Sequence, residues 1–140
     1  MDFLDTNVLV YRFDDDVPNK QRLARETYVN AVSSGTALIS TQVLQEFYAT
    51  ISTKFAKRVD TNVALGAVKL LAVLPMVQLT PELVLAAIAK HRRHALSFWD
   101  ALIVQAAIAG GADRILSEDM QHGTEFEGVR VENPFLEGKP

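Results

Sequence analysis

The chain has no cysteine. That excludes disulfides, thiolate metal sites and thiol nucleophiles, and it accords with a reducing compartment. It also lacks a secretory signal at its start, where no basic region appears and the first apolar run is cut by Asp2 and Asp5. The hydrophobic stretch "VALGAVKLLAVLPMVQL" is broken by Lys69 and Pro75 well short of a membrane span. A cytoplasmic protein with no membrane association is expected. There is no repeat, low-complexity tract or long linker, so residues 1–140 are read as one domain, large enough for a substantial core. Positive charge is in short supply. The net charge of −3 by itself disfavours a nucleic-acid partner. It does not if the acids are gathered in one metal site, where two divalent cations would reverse the sign locally.

Short strand-type runs alternate with longer stretches of helical period. "FL" (3–4), "ALIS" (37–40), "MVQLT" (76–80), "RIL" (114–116) and "VRVE" (129–132) are the strand candidates. Between them lie five helical patterns. "NKQRLARETYVNAVSSG" closes on Gly35. "TQVLQEFYATISTKFA" aligns Val43, Leu44, Phe47, Tyr48, Ile51 and Phe55 on one stripe. "DTNVALGAVKLLAVL" begins at an Asp60 cap and stops before Pro75. "TPELVLAAIAKHRRHAL" has Thr80 as cap with Pro81 in the first turn, and "SFWDALIVQAAIAGG" runs from Ser97 to Gly110-Gly111. This alternation predicts an α/β fold whose mostly parallel sheet is covered on both faces.

Four acids stand where such a fold does chemistry. Asp5 ends the first apolar run, at the carboxyl edge where open α/β sheets bind ligands; with Thr6 and Asn7 it is equally a turn or a helix cap. Asp100 interrupts a helix that is apolar nearly all round. A carboxylate there is costly unless paired or coordinated, although Ser97-x-x-Asp100 also reads as a capping box. Glu46 lies roughly 60° beyond Val43 on the helical wheel, a boundary position suited to a cleft or to solvent. Asp119, in "LSEDMQHG", follows another strand, where a cap at Ser117 or Asp119 is the alternative and Glu118 stands next door. Asp14, Asp15 and Asp16, ahead of Pro18, read as a solvated turn. If the ends of the parallel strands share one edge, Asp5, Glu46, Asp100 and Asp119 converge there, and oxygen-only ligation selects Mg²⁺ or Mn²⁺.

"FLDTNVLVY", "QVLQEFY", "SFWDALIVQAA" and "LSEDMQHG" resemble the four acidic motifs of PIN-domain ribonucleases, most closely the VapC toxins of bacterial toxin–antitoxin pairs. "VENPF" is similar to their last strand, so the resemblance runs from Met1 to about Phe135. It implies a PIN-like three-layer sandwich with about five short strands. It also implies metal-ligating, catalytic roles for Asp5, Glu46, Asp100 and Asp119, with Thr6, Asn7 and Ser117 orienting them. The activity implied is metal-dependent hydrolysis of RNA phosphodiesters, in tRNA or ribosomal RNA, leaving 5′-phosphate and 3′-hydroxyl ends. The implied partners are a homodimer mate and a VapB-type antitoxin, with Tyr28, Val29 and the helix 41–55 as candidate surfaces.

Two basic clusters flank the acid-bearing helices. Lys54, Lys57 and Arg58 follow that of Glu46, while Arg92 and Arg93 precede that of Asp100. They are candidates for holding phosphates, or for complementing helix dipoles. His91, His94 and His122 read as surface or packing residues, and Trp99 as core. A haloacid-dehalogenase-type phosphatase would need a second aspartate where Asn7 stands, and a receiver domain would need a lysine after a late strand. A nuclease for branched DNA would carry further acids. A catalytically silent PIN-like module that grips RNA or protein is the remaining alternative.

Overall fold

The computed structural model describes residues 1–136. Six short strands form one sheet in the order β3-β2-β1-β4-β6-β5: β1 Asp2–Leu4, β2 Ala37–Ser40, β3 Met76–Val77, β4 Arg114–Leu116, β5 Glu125–Phe126 and β6 Val129–Glu132. All neighbours are parallel except β5 and β6. The helices are α1 Thr6–Val10, α2 Pro18–Ser33, α3 Thr41–Thr53, α4 Thr61–Ala72, α5 Pro81–Arg93 and α6 Phe98–Ala109.

Successive side chains of a strand point to opposite faces, and all four residues of β2 are buried, so both faces are covered. On one side α6 lies across β2, β3 and β4 with α5 packed on it, while α1 to α4 pack among themselves. The core joins Phe3, Leu4, Ile39 and Ile115 of the central strands to Phe47 and Ile51 of α3 and to Ala101, Ile103 and Val104 of α6. At the end of α6 a Cβ on Gly110 would stand 2.6 Å from Leu38 Cδ2 and 2.7 Å from Val77 Cγ2, so only glycine lets the helix come this close to the sheet. No helix among the described residues is long and apolar enough to cross a membrane.

Several expectations need correction. Among the described residues the sheet has six strands where about five are expected: Glu127 and Gly128 both adopt positive φ (49° and 86°), which is what a two-residue hairpin turn requires, and the turn adds the two-residue β5. The third strand stops at Val77 because Leu79 N–H donates to Thr41 Oγ1 and Thr80 then caps α5. The pattern 41–56 is helical only to Thr53, although Phe55 beyond it is still fully buried, whereas Tyr48 of the same stripe is exposed. Residues 6–10, with no helix assigned in the sequence, form α1. The caps at Asp60, Thr80 and Ser97 are where the sequence places them.

Candidate functional site

The chain runs outward from β1 through β2 to β3 and then returns to β4 on the other side of β1. This reversal leaves a crevice at the carboxyl ends of β1 and β4, the usual ligand position in open α/β sheets. Asp5 leaves β1 here, and its N–H donates to Leu116 O of β4 at 3.0 Å. Its side chain is 5% exposed. Oδ1 accepts from Thr6 N at 2.7 Å, and Oδ2 from Ser117 Oγ at 2.7 Å. Strand end and helix cap therefore both describe Asp5: it closes β1 and caps α1.

The first turn of α1 holds two of the other acids. Thr6 Oγ1 donates to Glu46 Oε1 at 2.7 Å. Asn7 Nδ2 donates to Asp119 Oδ2 at 3.0 Å, while Asn7 Oδ1 accepts from Glu118 N at 3.2 Å. Ser117 Oγ, besides binding Asp5, accepts from Asp119 N at 3.2 Å. Among the described residues no helix starts after β4, so the helix-cap alternative for Asp119 does not apply. Asp100 lies in the first turn of α6, where its N–H donates to Ser97 Oγ at 3.0 Å; the cap and the cleft position coexist.

Two clefts flank the acids. One, of about 440 Å³, is lined by Thr6, Asn7, Tyr11, Glu46, Thr50 and Lys54. The other, of about 300 Å³, is lined by His94, Asp100 and Gln121 among others. Asp119 lines both, so they meet at the acidic centre. A larger cavity of about 570 Å³ lies away from the acids, beside α2, where Arg114 pairs with Asp2 and Glu132 at 2.8 and 2.6 Å.

Burial pushes the Asp5 carboxyl up to about 7; the Ser117 and Thr6 hydrogen bonds oppose this, and the charges of Asp119 and Glu46 add to it. Burial also raises Asp100, again with Asp119 and Glu46 contributing. Asp5 and Asp100 thus both feel the charges of Asp119 and Glu46, and among the described residues none of the four is paired with a cation. Carboxylate oxygens under mutual repulsion are a donor set that fits a hard divalent ion. As the side chains stand, no three His, Asp or Glu among the described residues are gathered closely enough to hold one.

Of the basic candidates, Lys54 lines the larger cleft. Arg58 is held by Asp16 at 3.1 Å and lies 4.0 Å from Asp14. Lys57, Arg92 and Arg93 are exposed and line neither cleft. Glu118 turns away from the other acids: burial would raise its carboxyl, but hydrogen bonds from Lys20 and Tyr11, at 2.6 Å each, hold it low. Two further expectations are corrected. Asp14 is not solvated but buried, accepting from Asp16 N at 3.1 Å, whereas its neighbours Asp15 and Asp16 are exposed. Trp99 is not core but 62% exposed, because it faces away from the core that takes up Ala101, Leu102 and Ile103 of the same helix. Gln42 escaped sequence reasoning. It is buried, and its Nε2 donates to Trp99 O at 3.2 Å and to Glu46 Oε2 at 3.4 Å. Its spacing of four residues before Glu46 was the available signal.

A family model described as "PIN domain" matches residues 3–123. Among solved structures, the VapC20 toxin of Mycobacterium tuberculosis, described as sarcin-ricin loop cleaving, superposes with a TM-score of 0.64 at 18% identity, covering 85% of this chain and 90% of its own. VapBC2 from Rickettsia felis, bound to a DNA fragment of its promoter, superposes with a TM-score of 0.59 at 15% identity, covering 94% of this chain and 97% of the other. At these identities the likeness is one of fold. No curated protein sequence matches the chain.

Proposed function

The chain belongs to the PIN-domain family, and from that premise we propose that it is a metal-dependent endoribonuclease, the toxin of a cytoplasmic toxin–antitoxin pair. The observation that carries this reading is that Asp119 lines one cleft with Glu46 and the other with Asp100, and shares the Ser117 hydroxyl with Asp5, while no cation is paired to any of the four among the described residues. These four would hold Mg²⁺ or Mn²⁺. Such an ion, when bound, lowers the pKa of water and stabilises the charge that develops as a phosphodiester is hydrolysed.

The chain's own residues do the positioning. Ser117 and the Thr6 amide fix both oxygens of Asp5, Thr6 Oγ1 aims Glu46, and Asn7 ties Asp119 to the same turn. Hydrogen bonds of this kind remove the freedom a flexible carboxylate would otherwise lose on binding. Lys54, on the wall of the larger cleft, is placed to meet a phosphate next to the scissile one. Arg92 and Arg93 would act further out along the strand, while Arg58 would first have to leave Asp14 and Asp16. The structural neighbours support the toxin reading, since one is a sarcin-ricin loop cleaving toxin and the other a VapBC complex. A VapB-type antitoxin and a second copy of the chain are the proposed protein partners.

One observation favours the silent binding module: no three of the acids stand gathered for a single ion. Incubation of a small-RNA pool and a matched DNA with the purified protein, in Mg²⁺, in Mn²⁺ and in EDTA, separates the readings. Discrete cuts in RNA alone, abolished by EDTA, are expected. Intact RNA with either metal would leave the silent module.

A further inference from the structure

The two clefts beside the acids differ in chemistry. The larger one presents the ammonium of Lys54 and the hydroxyls of Thr6, Tyr11 and Thr50, which suit phosphate and sugar oxygens. The 300 Å³ cleft has an apolar floor of Leu96, Met120 and Phe126. Over Phe126 stands the His94 ring, edge-on with centroids 5.7 Å apart. Gln121 and Thr124 supply its polar rim, and neither side chain is hydrogen-bonded to another described residue.

The walls of this cleft are braced. Lys90 of α5 pairs with Glu127 at 2.6 Å, which fastens the β5–β6 hairpin to the last turn of the helix that His94 follows. A preformed cavity with an apolar floor and a few uncommitted polar groups is built for a small, flat ligand, and about 300 Å³ is at the lower end of the ~300–1,000 Å³ range of such sites. Unpaired RNA offers one: a splayed base that stacks on aromatic side chains and is hydrogen-bonded along its edge. Asp100 and Asp119 line the same cleft, so its occupant lies directly beside the acidic centre.

We propose that this cleft is a nucleobase pocket for the nucleotide flanking the scissile phosphate, with His94 and Phe126 against the ring and Gln121 and Thr124 reading its edge. The inference rests on the endoribonuclease reading above. An amide and a hydroxyl together offer donors and acceptors, so the pocket discriminates among bases at one position adjacent to the cut.

The test is cleavage of a randomised single-stranded RNA pool in Mn²⁺ by wild type, Gln121→Ala and Thr124→Val, with sequencing of the new ends. Gln121 is exposed and Thr124 half-buried, and base frequencies are read as ratios within each digest, so a change in overall rate does not obscure them. The expected result is a base preference at one position flanking the cut, reduced roughly fivefold or more in each variant. Wild-type cleavage with the same preference in both variants, or with no preference at all, would overturn the pocket while leaving the nuclease reading in place. No cleavage by wild type would overturn both.

Discussion

Thr6 Oγ1 and Glu46 Oε1 lie 2.7 Å apart, joining the first turn of α1 to the second turn of α3 across 40 residues of sequence. Together with the longer bond from Gln42 Nε2 to Oε2 at 3.4 Å, it sets the direction of a carboxylate at the edge of a cleft. Thr6→Val should therefore fold normally and lose roughly 10- to 100-fold in metal affinity or cleavage, while Thr6→Ser keeps most of both. Wild-type activity in Thr6→Val would show that Glu46 needs no aiming.

The adjacent acids Glu118 and Asp119 should behave differently. Glu118 is held by Tyr11 and Lys20, whereas Asp119 lines both clefts. Asp119→Asn should reduce cleavage at least about 100-fold, and Glu118→Gln less than about tenfold. Measured rates in the opposite order would exchange their roles.

Burial of Asp5 makes stability depend on pH. Its folded pKa, about 7, lies above the usual 3.8, so the folded state holds this proton more tightly than the unfolded state. The associated stabilisation is full below pH ~4 and is lost as pH rises through 7. Without metal, the melting temperature should fall between pH 5 and 8. A divalent ion binds the ionised form, so Mn²⁺ should raise the melting temperature more at pH 8 than at pH 5. Asp5→Asn should flatten the metal-free profile. A flat wild-type profile would contradict the burial argument.

Two glycines give opposite expectations. A methyl group on Gly110 would run into Leu38 and Val77, so Gly110→Ala should cost about 1–3 kcal/mol. Gly66 in α4 has nothing within 4 Å, and Gly66→Ala should gain up to ~1 kcal/mol from helix propensity. Denaturant unfolding of the two variants checks both signs.

The parts of this structure that are legible in the sequence are those with a local chemical signature. Asp60, Thr80 and Ser97 announce helix starts through side-chain oxygens that accept from the first-turn amides. The four acids stand out as a set by position relative to strands and by motif. The missed features depend on tertiary context. Five residues are too few to show a helical period, so α1 is announced only by the candidate cap at Asp5, which a simple turn would explain equally well. The two-residue β5 exists because the turn at Glu127-Gly128 folds it back on β6. A helix apolar nearly all round has little wheel asymmetry from which to learn that Trp99 faces out while Ala101, Leu102 and Ile103 face in. Asp14 reads as one of three equal acids, and only the fold buries it.

The most direct test is calorimetric titration of the metal-stripped protein with Mn²⁺ near pH 8, beside Asp5→Asn and Asp100→Asn. If the carboxylates form one metal centre, wild type binds saturably and each substitution, though on a different element, weakens binding at least about tenfold. Equal binding by all three proteins, or none by wild type, would mean that the four acids are not a metal site.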